Sequence, residues 1–511
     1  MAGGLFSGMC PAPLSSLLHR DLNLTAVVDG RKRLGPDEAL SLLKEAPLPT
    51  LGRLASAAAE RIHGDRLRTY VIDRNINYTN VCSAACTFCA FKRGVHAEDA
   101  YVLSQAEIHA KVQELVDIGG TQILLQGGMH PDLPLSFYTG MLRGLKAAFP
   151  RVHLHAFSPP EFVEFVAVLG LDGFPTARPG RGDTLPRGAW LAKLEAVMRE
   201  LMAAGLDSLP GGGGEIFGAH VRHRIGPGKA SGAQWLDVMQ AAHRLGMKTS
   251  ATMMFGHLEG RMDRVLHMEA VRGRQDAAIE AGLPGRYLSF ISWPYQRENT
   301  PLDRLPDHDL LAEARGGEPF PGDVLAEAVA RGEVDPEDRA ACRAVAPRAG
   351  KVLRMAGGTE YLRTQAVSRL YLDNVRSIGS SWVTMGPRIG QLGLLYGAND
   401  MGSVMMEENV VSAAGTTYCL NEATLCRLVR DAGFVPAQRD NEYRVLAEHP
   451  DTPDAPDNRV EDWSTQRPRT ERAPFEPGKK GSDAEAEGTV PLTVTAGHVQ
   501  SVAPAAAGAP G

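Results

Sequence analysis

TYVIDRNINYTNVCSAACTFC, residues 69–89, runs from a β-forming stretch straight into three closely spaced cysteines. Its first ten residues are rich in β-branched and aromatic side chains and predict a strand. Cys82, Cys86 and Cys89 then follow with three and two residues between them. Soft thiolates at this spacing select an iron–sulfur cluster or zinc. Three of them hold three irons of a cubane and leave the fourth without a protein ligand. A four-cysteine electron-transfer site would need another cysteine nearby, and none occurs until Cys342. The competing reading is a zinc site completed by His96 or a more distant histidine.

Outward from this stretch, short β-rich runs alternate with longer amphipathic ones. Helices are predicted upstream, over Pro36 to Lys44 and Leu51 to Ile62. Downstream, 104–120 predicts a helix ending on glycines, 121–126 a strand, and 134–148 a helix. Further strands are predicted at 151–157, 206–209, 248–255, 286–292, 380–384 and near 398–404. Repeated strand–helix units imply a parallel sheet, and eight of them suit a closed (β/α) TIM-type barrel; a partial six-unit barrel is the alternative. Residues 1–34 form an N-terminal extension to a barrel spanning 35–448. Segments 173–188 and 307–350 are expected as insertions, the second with two short helices. Residues 449–511 are poor in large apolar side chains and are expected to be a disordered tail.

Composition narrows the function. Hydrophobic residues make up 43% of the 511 and charged residues 22%, ordinary for a globular enzyme. A net charge of −6 offers no basic field for nucleic acid or an anionic membrane. No apolar run approaches a bilayer's width. The N-terminus does not read as a signal peptide, so a cytoplasmic location is expected. The remaining cysteines, Cys10, Cys342, Cys419 and Cys426, are scattered and read as incidental thiols rather than a disulfide framework.

An iron left open can chelate the amino and carboxylate groups of S-adenosylmethionine (SAM) and pass one electron to its sulfonium. Breaking that bond needs the low end of cluster potentials, which implies a flavodoxin or ferredoxin as electron donor. RNINYTNVCSAACTFCAFKRG (74–94) resembles the radical SAM enzymes of the futalosine route to menaquinone, most of all the cyclic dehypoxanthinyl futalosine synthase family. GGTQILLQGGMHPDLPL (119–135), HLHAFSPPE (153–161), GLDSLPGGGGEI (205–216), TSATMMFGH (249–257) and FISWPYQRENTPL (290–302) agree. So do RLYLDNV (369–375), WVTMGPRIGQLGLLYGANDMGS (382–403) and EENVVSAAG (407–415). The resemblance covers roughly residues 35–445; the two insertions and the tail depart from it.

The resemblance implies one 4Fe-4S cluster, SAM, and dehypoxanthine futalosine as small-molecule substrate. A 5′-deoxyadenosyl radical would take the sugar C4′ hydrogen, and the carbon radical would close a spiro ring on the aromatic acceptor. Loss of an electron and a proton would then restore aromaticity. Gln126, Gly127 and Gly128 follow the second strand, where glycines let backbone approach the SAM amino group. Ser158 belongs with this SAM set. Glu215 is matched to the SAM ribose or, alternatively, to a solvated helix start. The GGGGE run lacks the Lys-Ser/Thr ending of a phosphate loop, which disfavours nucleoside triphosphates. Tyr78, His130, Asp132, Glu161, Asn399, Asp400, Glu407, Glu408 and Asn409 are candidate substrate contacts, with rigid turns, helix capping and surface solvation as their alternatives. His153 and His155 share one strand face and read as hydrogen-bonded core histidines. Met253 and Met254 read as core packing. Rival readings are an aminofutalosine synthase, a deazaflavin-forming relative, and a non-catalytic zinc- or iron–sulfur-binding protein.

Overall fold

The computed structural model of the chain describes residues 22–176, 185–416 and 418–449. Cys10, the middle of the 173–188 insertion and the tail beyond 449 therefore lie outside the described residues. Eight parallel strands run β1 (Leu67–Ile76), β2 (Gln122–Leu125), β3 (His153–Ala156), β4 (Ser208–Leu209), β5 (Lys248–Phe255), β6 (Arg286–Pro294), β7 (Ser377–Gly379) and β8 (Asp400–Met405). Each pairs with the next, and β8 returns to β1 with Ile72 opposite Val404, so the barrel is closed. That closure settles the choice against a six-unit barrel.

β1 shows how polar groups reach the interior. Val71, Asp73, Asn75 and Asn77 alternate with Ile72 and Ile76; the first set lines the barrel cavity, while the isoleucines pack into the shell between strands and helices. Period-two alternation puts the apolar core outside the barrel wall and the chemistry inside it. The shell has two large parts, one around β1–β4 and one joining β5–β7 to the N-terminal helices Pro36–Glu45 and Leu48–His63. Several barrel helices start at capping boxes, Ser104 with Glu107 and Ser158 with Glu161, which fix where each strand-to-helix loop ends.

Three features differ from the sequence expectation. The seventh strand is Ser377–Gly379, and 380–384 instead turns into the short helix Trp382–Met385. Ser380 Oγ donates to Gly390 O at 2.7 Å and Tyr361 Oη accepts from Ser381 N at 2.8 Å, so the chain leaves the barrel wall there despite Trp382 and Val383. A further pair, β9 (Val435–Arg439) and β10 (Val445–Glu448), was not expected. β9 lies parallel to the first residues of β1, Leu67 opposite Val435, and β10 folds back antiparallel on β9. Pro436 within β9 masks it, since proline usually marks strand edges. The insertion 307–350 carries three helices rather than two, Leu310–Ala314, Pro321–Ala330 and Arg339–Val345; the last two close on a small core that includes Cys342, and the first buries no residue. Asp323 anchors it, accepting from Arg261 N (2.7 Å) and Arg354 Nη1 (2.6 Å). No described helix is long and apolar enough to cross a membrane.

Candidate active site

The loop after β1 carries the cysteines and is held by neighbours from three other connections. Ser83 N donates to Met129 O (2.8 Å), Ala85 N to Pro227 O (3.0 Å), Thr87 N to Ile225 O (2.8 Å), and Leu302 N to Thr87 O (3.0 Å). The loops after β2, β4 and β6 thus clamp it at the C-terminal mouth of the barrel, where (β/α) barrels place their chemistry. Cys82, Cys86 and Cys89 line the top of a cavity of about 480 Å³ that extends down the barrel axis. Burial pushes all three thiols up, and they raise one another in turn; the Lys229 ammonium pulls each back. The three pack together with Ala84, Phe88 and Met129, and three soft thiolates from one loop are a donor set that fits an iron–sulfur cluster.

Below the thiols, Gln126, Gly127, Gly128, Ser158 and Glu215 all line the same cavity. A Cβ on Gly128 would fall 2.1 Å from Val81 O, so the loops after β1 and β2 meet there backbone to backbone. Two non-glycine residues in the connections after β3 and β4 hold positive φ, Phe157 (59°), buried in the shell between the cavity-lining His155 and Ser158, and Glu215 (36°), which lines the cavity itself. Glu215 Oε1 accepts from Lys229 Nζ at 2.7 Å, while its Oε2 is buried without a hydrogen-bond partner. Lys229 Nζ also sits 4.9 Å above the Phe88 ring, between the cysteines and the glycine run.

Of the nine candidate substrate contacts, Glu161, Asp400 and Glu408 line the cavity. Glu161 is spent internally: Oε1 accepts from Tyr78 Oη (2.7 Å) and Gly127 N (3.1 Å), Oε2 from Ser158 N (2.6 Å) and Ser158 Oγ (2.7 Å). It caps its helix and steadies the glycine loop, with Tyr78 as its partner. Asp400 is held by Arg439, Nε to Oδ2 at 2.5 Å and Nη2 to Oδ1 at 3.0 Å. Glu408 accepts from Asn75 Nδ2 (3.0 Å) and from Val410 N and Val411 N. The others stand apart. Glu407 pairs with Arg74 and Lys111 and accepts from Asn409, and Asn399 accepts from Arg369. His130 Nδ1 accepts from exposed Asp132 N. Ser208 Oγ lies 2.6 Å from His155 Nδ1 and 2.7 Å from His153 Nε2, the hydrogen-bonded arrangement expected of them.

The sequence reading missed the lower cavity: Asp73, Asn75, Gln122, Arg439, Asn441 and Tyr443. Polar residues at 73, 75 and 77 of a predicted barrel strand were its available signal. The β9–β10 hairpin, which supplies the last three, gave none.

A closed (β/α) barrel with three cysteines clustered after its first strand is the architecture of radical SAM proteins, and the Radical SAM superfamily model matches residues 76–271. Members use a 4Fe-4S cluster and SAM. The CofH/MqnC C-terminal region model matches 344–452. The chain is 36% identical over 423 residues to the cyclic dehypoxanthine futalosine synthase of Halalkalibacterium halodurans, covering 83% of this chain and 94% of that one. It is 33% identical over 423 residues to the aminodeoxyfutalosine synthase of Thermus thermophilus, covering 82% and 94%. Methylornithine synthase shares the fold, with a TM-score of 0.52 at 16% identity over 81% of this chain and 97% of that one. The chain belongs to the futalosine-synthase family of radical SAM enzymes.

Proposed function

We propose that this enzyme converts dehypoxanthine futalosine to its cyclic form. The observation that carries the reading is the near full-length likeness to a synthase of that name, 94% of its length at 36% identity. The cavity supports it: thiols at one end and, beyond them, a mostly apolar chamber set with a few polar groups such as Asp73, Asn75, Gln122 and Arg439, within the size range of small-molecule sites. The cluster and SAM, when bound, supply a 5′-deoxyadenosyl radical that takes the sugar C4′ hydrogen. Cys82, Cys86 and Cys89 would hold the cluster. Gln126, Gly127, Gly128 and Ser158 would border SAM, and Glu215 Oε2, which accepts no hydrogen bond though Arg222 lies 4.0 Å away, would accept from its ribose hydroxyls. The clamped loops would keep water and competing reactants away. The catalytic unit spans 35–448, works in a reducing cytoplasm, and draws its electron from a flavodoxin or ferredoxin.

Anaerobically reconstituted enzyme given SAM, reductant and dehypoxanthine futalosine is expected to yield about equimolar 5′-deoxyadenosine and a product two hydrogens lighter than the substrate. The substrates of aminofutalosine synthase and of the deazaflavin-forming relatives are tested separately. Turnover of either, with no cyclised species from dehypoxanthine futalosine, would reject the assignment.

A further inference from the structure

Cyclisation onto an aromatic ring leaves a proton that some group must accept. On the cyclising reading SAM rests against the thiols, which leaves the lower cavity to the substrate. The inward-facing carboxyls of that cavity differ in how far they are committed. Glu161 accepts four hydrogen bonds, Asp400 is gripped by Arg439 through both oxygens, and Glu408 takes two backbone N–H groups and an amide. Asp73 takes only two neutral donors, Ser403 Oγ on Oδ1 and Gln122 Nε2 on Oδ2 at 2.9 Å. Among the described residues it has no salt-bridge partner and takes no backbone N–H, although it is 6% exposed and lines the cavity. A carboxylate has room for about four hydrogen bonds. One buried with half that number and no ion pair of its own weakens the fold and is a candidate functional position.

We propose that Asp73 is the proton acceptor of the reaction, taking the ring proton that leaves as the cyclised radical regains aromaticity. The ring C–H bond breaks, its proton forms the Asp73 O–H, and its electron pair stays on the ring. The one excess electron passes to an oxidised iron–sulfur centre. Burial pushes the Asp73 carboxyl up, which brings it toward the operating pH of a general base. The charged and titratable groups around it are Glu408 on the loop after β8, Arg439 of β9 with its partner Asp400 of β8, His155 of β3 and Tyr443 at the hairpin tip. Arg439 draws the Asp73 carboxyl down and Glu408 raises it.

The inference rests on the cyclising reading, and the assay separates the two. If wild-type enzyme makes no cyclised product, that reading fails; if wild type cyclises and Asp73→Asn does so equally well, only the role of Asp73 fails. Asp73→Asn is expected to keep 5′-deoxyadenosine formation within about threefold of wild type and lose cyclised product about 100-fold. Wild-type cyclisation should fall on acidification along a limb above the usual carboxylate range, because the deprotonated form is the base. Ser403→Ala removes a donor to the carboxylate and should move that limb to higher pH. A limb that persists in Asp73→Asn overturns the proposal. Should Asp73→Asn fail to fold, the Ser403→Ala profile decides: an upward shift supports the proposal, and an unmoved limb rejects it.

Discussion

Single residues decide whether the mouth of the barrel can form. Gly128 shows this most directly, since a methyl there would meet Val81 O at 2.1 Å and Cys82 Cβ at 3.0 Å. Backbone cannot yield as a flexible side chain would, so the cysteine loop must move. Gly128→Ala is therefore expected to lower iron bound per chain at least twofold after reconstitution while leaving far-ultraviolet circular dichroism unchanged. Gly140→Ala is the control: its Cβ would meet nothing within 4 Å at an exposed position of its helix, so it should gain about 0.5–1 kcal/mol and keep full iron content. Wild-type iron content in Gly128→Ala would refute the steric account. Glu161 teaches a related lesson. Ser158-Pro159-Pro160-Glu161 has the spacing of a capping box, and the structure gives its carboxylate to the helix N-terminus and the glycine loop rather than leaving it free for a ligand.

Among the elements, those with their own periodicity were legible. β5 matches the expected 248–255, spanning Lys248–Phe255, since TSATMMF is apolar or β-branched at every position but Ser250 and stops at Gly256. The cysteine loop was legible because ligand chemistry imposes spacing. β7 and the β9–β10 hairpin were not, because tertiary contacts define them: three residues suffice for β7 between longer strands, and β9 exists only against β1. The hairpin nonetheless sets the cavity floor through Arg439, whose bidentate pair with Asp400 is almost fully buried. Removing one member of such a pair leaves an uncompensated charge and costs about 3–5 kcal/mol, whereas replacing both with apolar residues is often near neutral. Arg439→Met should thus be destabilised by about that much in urea unfolding, and Arg439→Met/Asp400→Leu should recover most of the loss. A double variant no more stable than the single one would show that the pair is not what holds the hairpin.

For the molecule as a whole, buried imidazoles set the response to acid. Burial pulls His155, His243 and His267 each down to about 3, with neighbouring arginines adding to the effect. In the unfolded chain these rings titrate near 6.5. Below that value the unfolded state binds protons that the folded state refuses, so stability falls as pH drops and is regained as it rises. Between pH 7.5 and pH 6.0 each neutral ring costs about 0.8 kcal/mol, or about 2.4 kcal/mol for the three. His220 acts in the opposite sense, because Asp263 at 3.1 Å raises it against the pull of burial, and its single contribution offsets only part of that loss. Urea midpoints measured anaerobically should therefore be lower at pH 6.0 than at 7.5. His267 stacks on Phe217 at 3.8 Å and bonds Thr252 O from inside the shell, so His267→Phe should reduce the slope while keeping the stack. An equal or higher midpoint at pH 6.0, or an unchanged slope in His267→Phe, would mean that these rings are hydrated enough in the folded enzyme to take up protons.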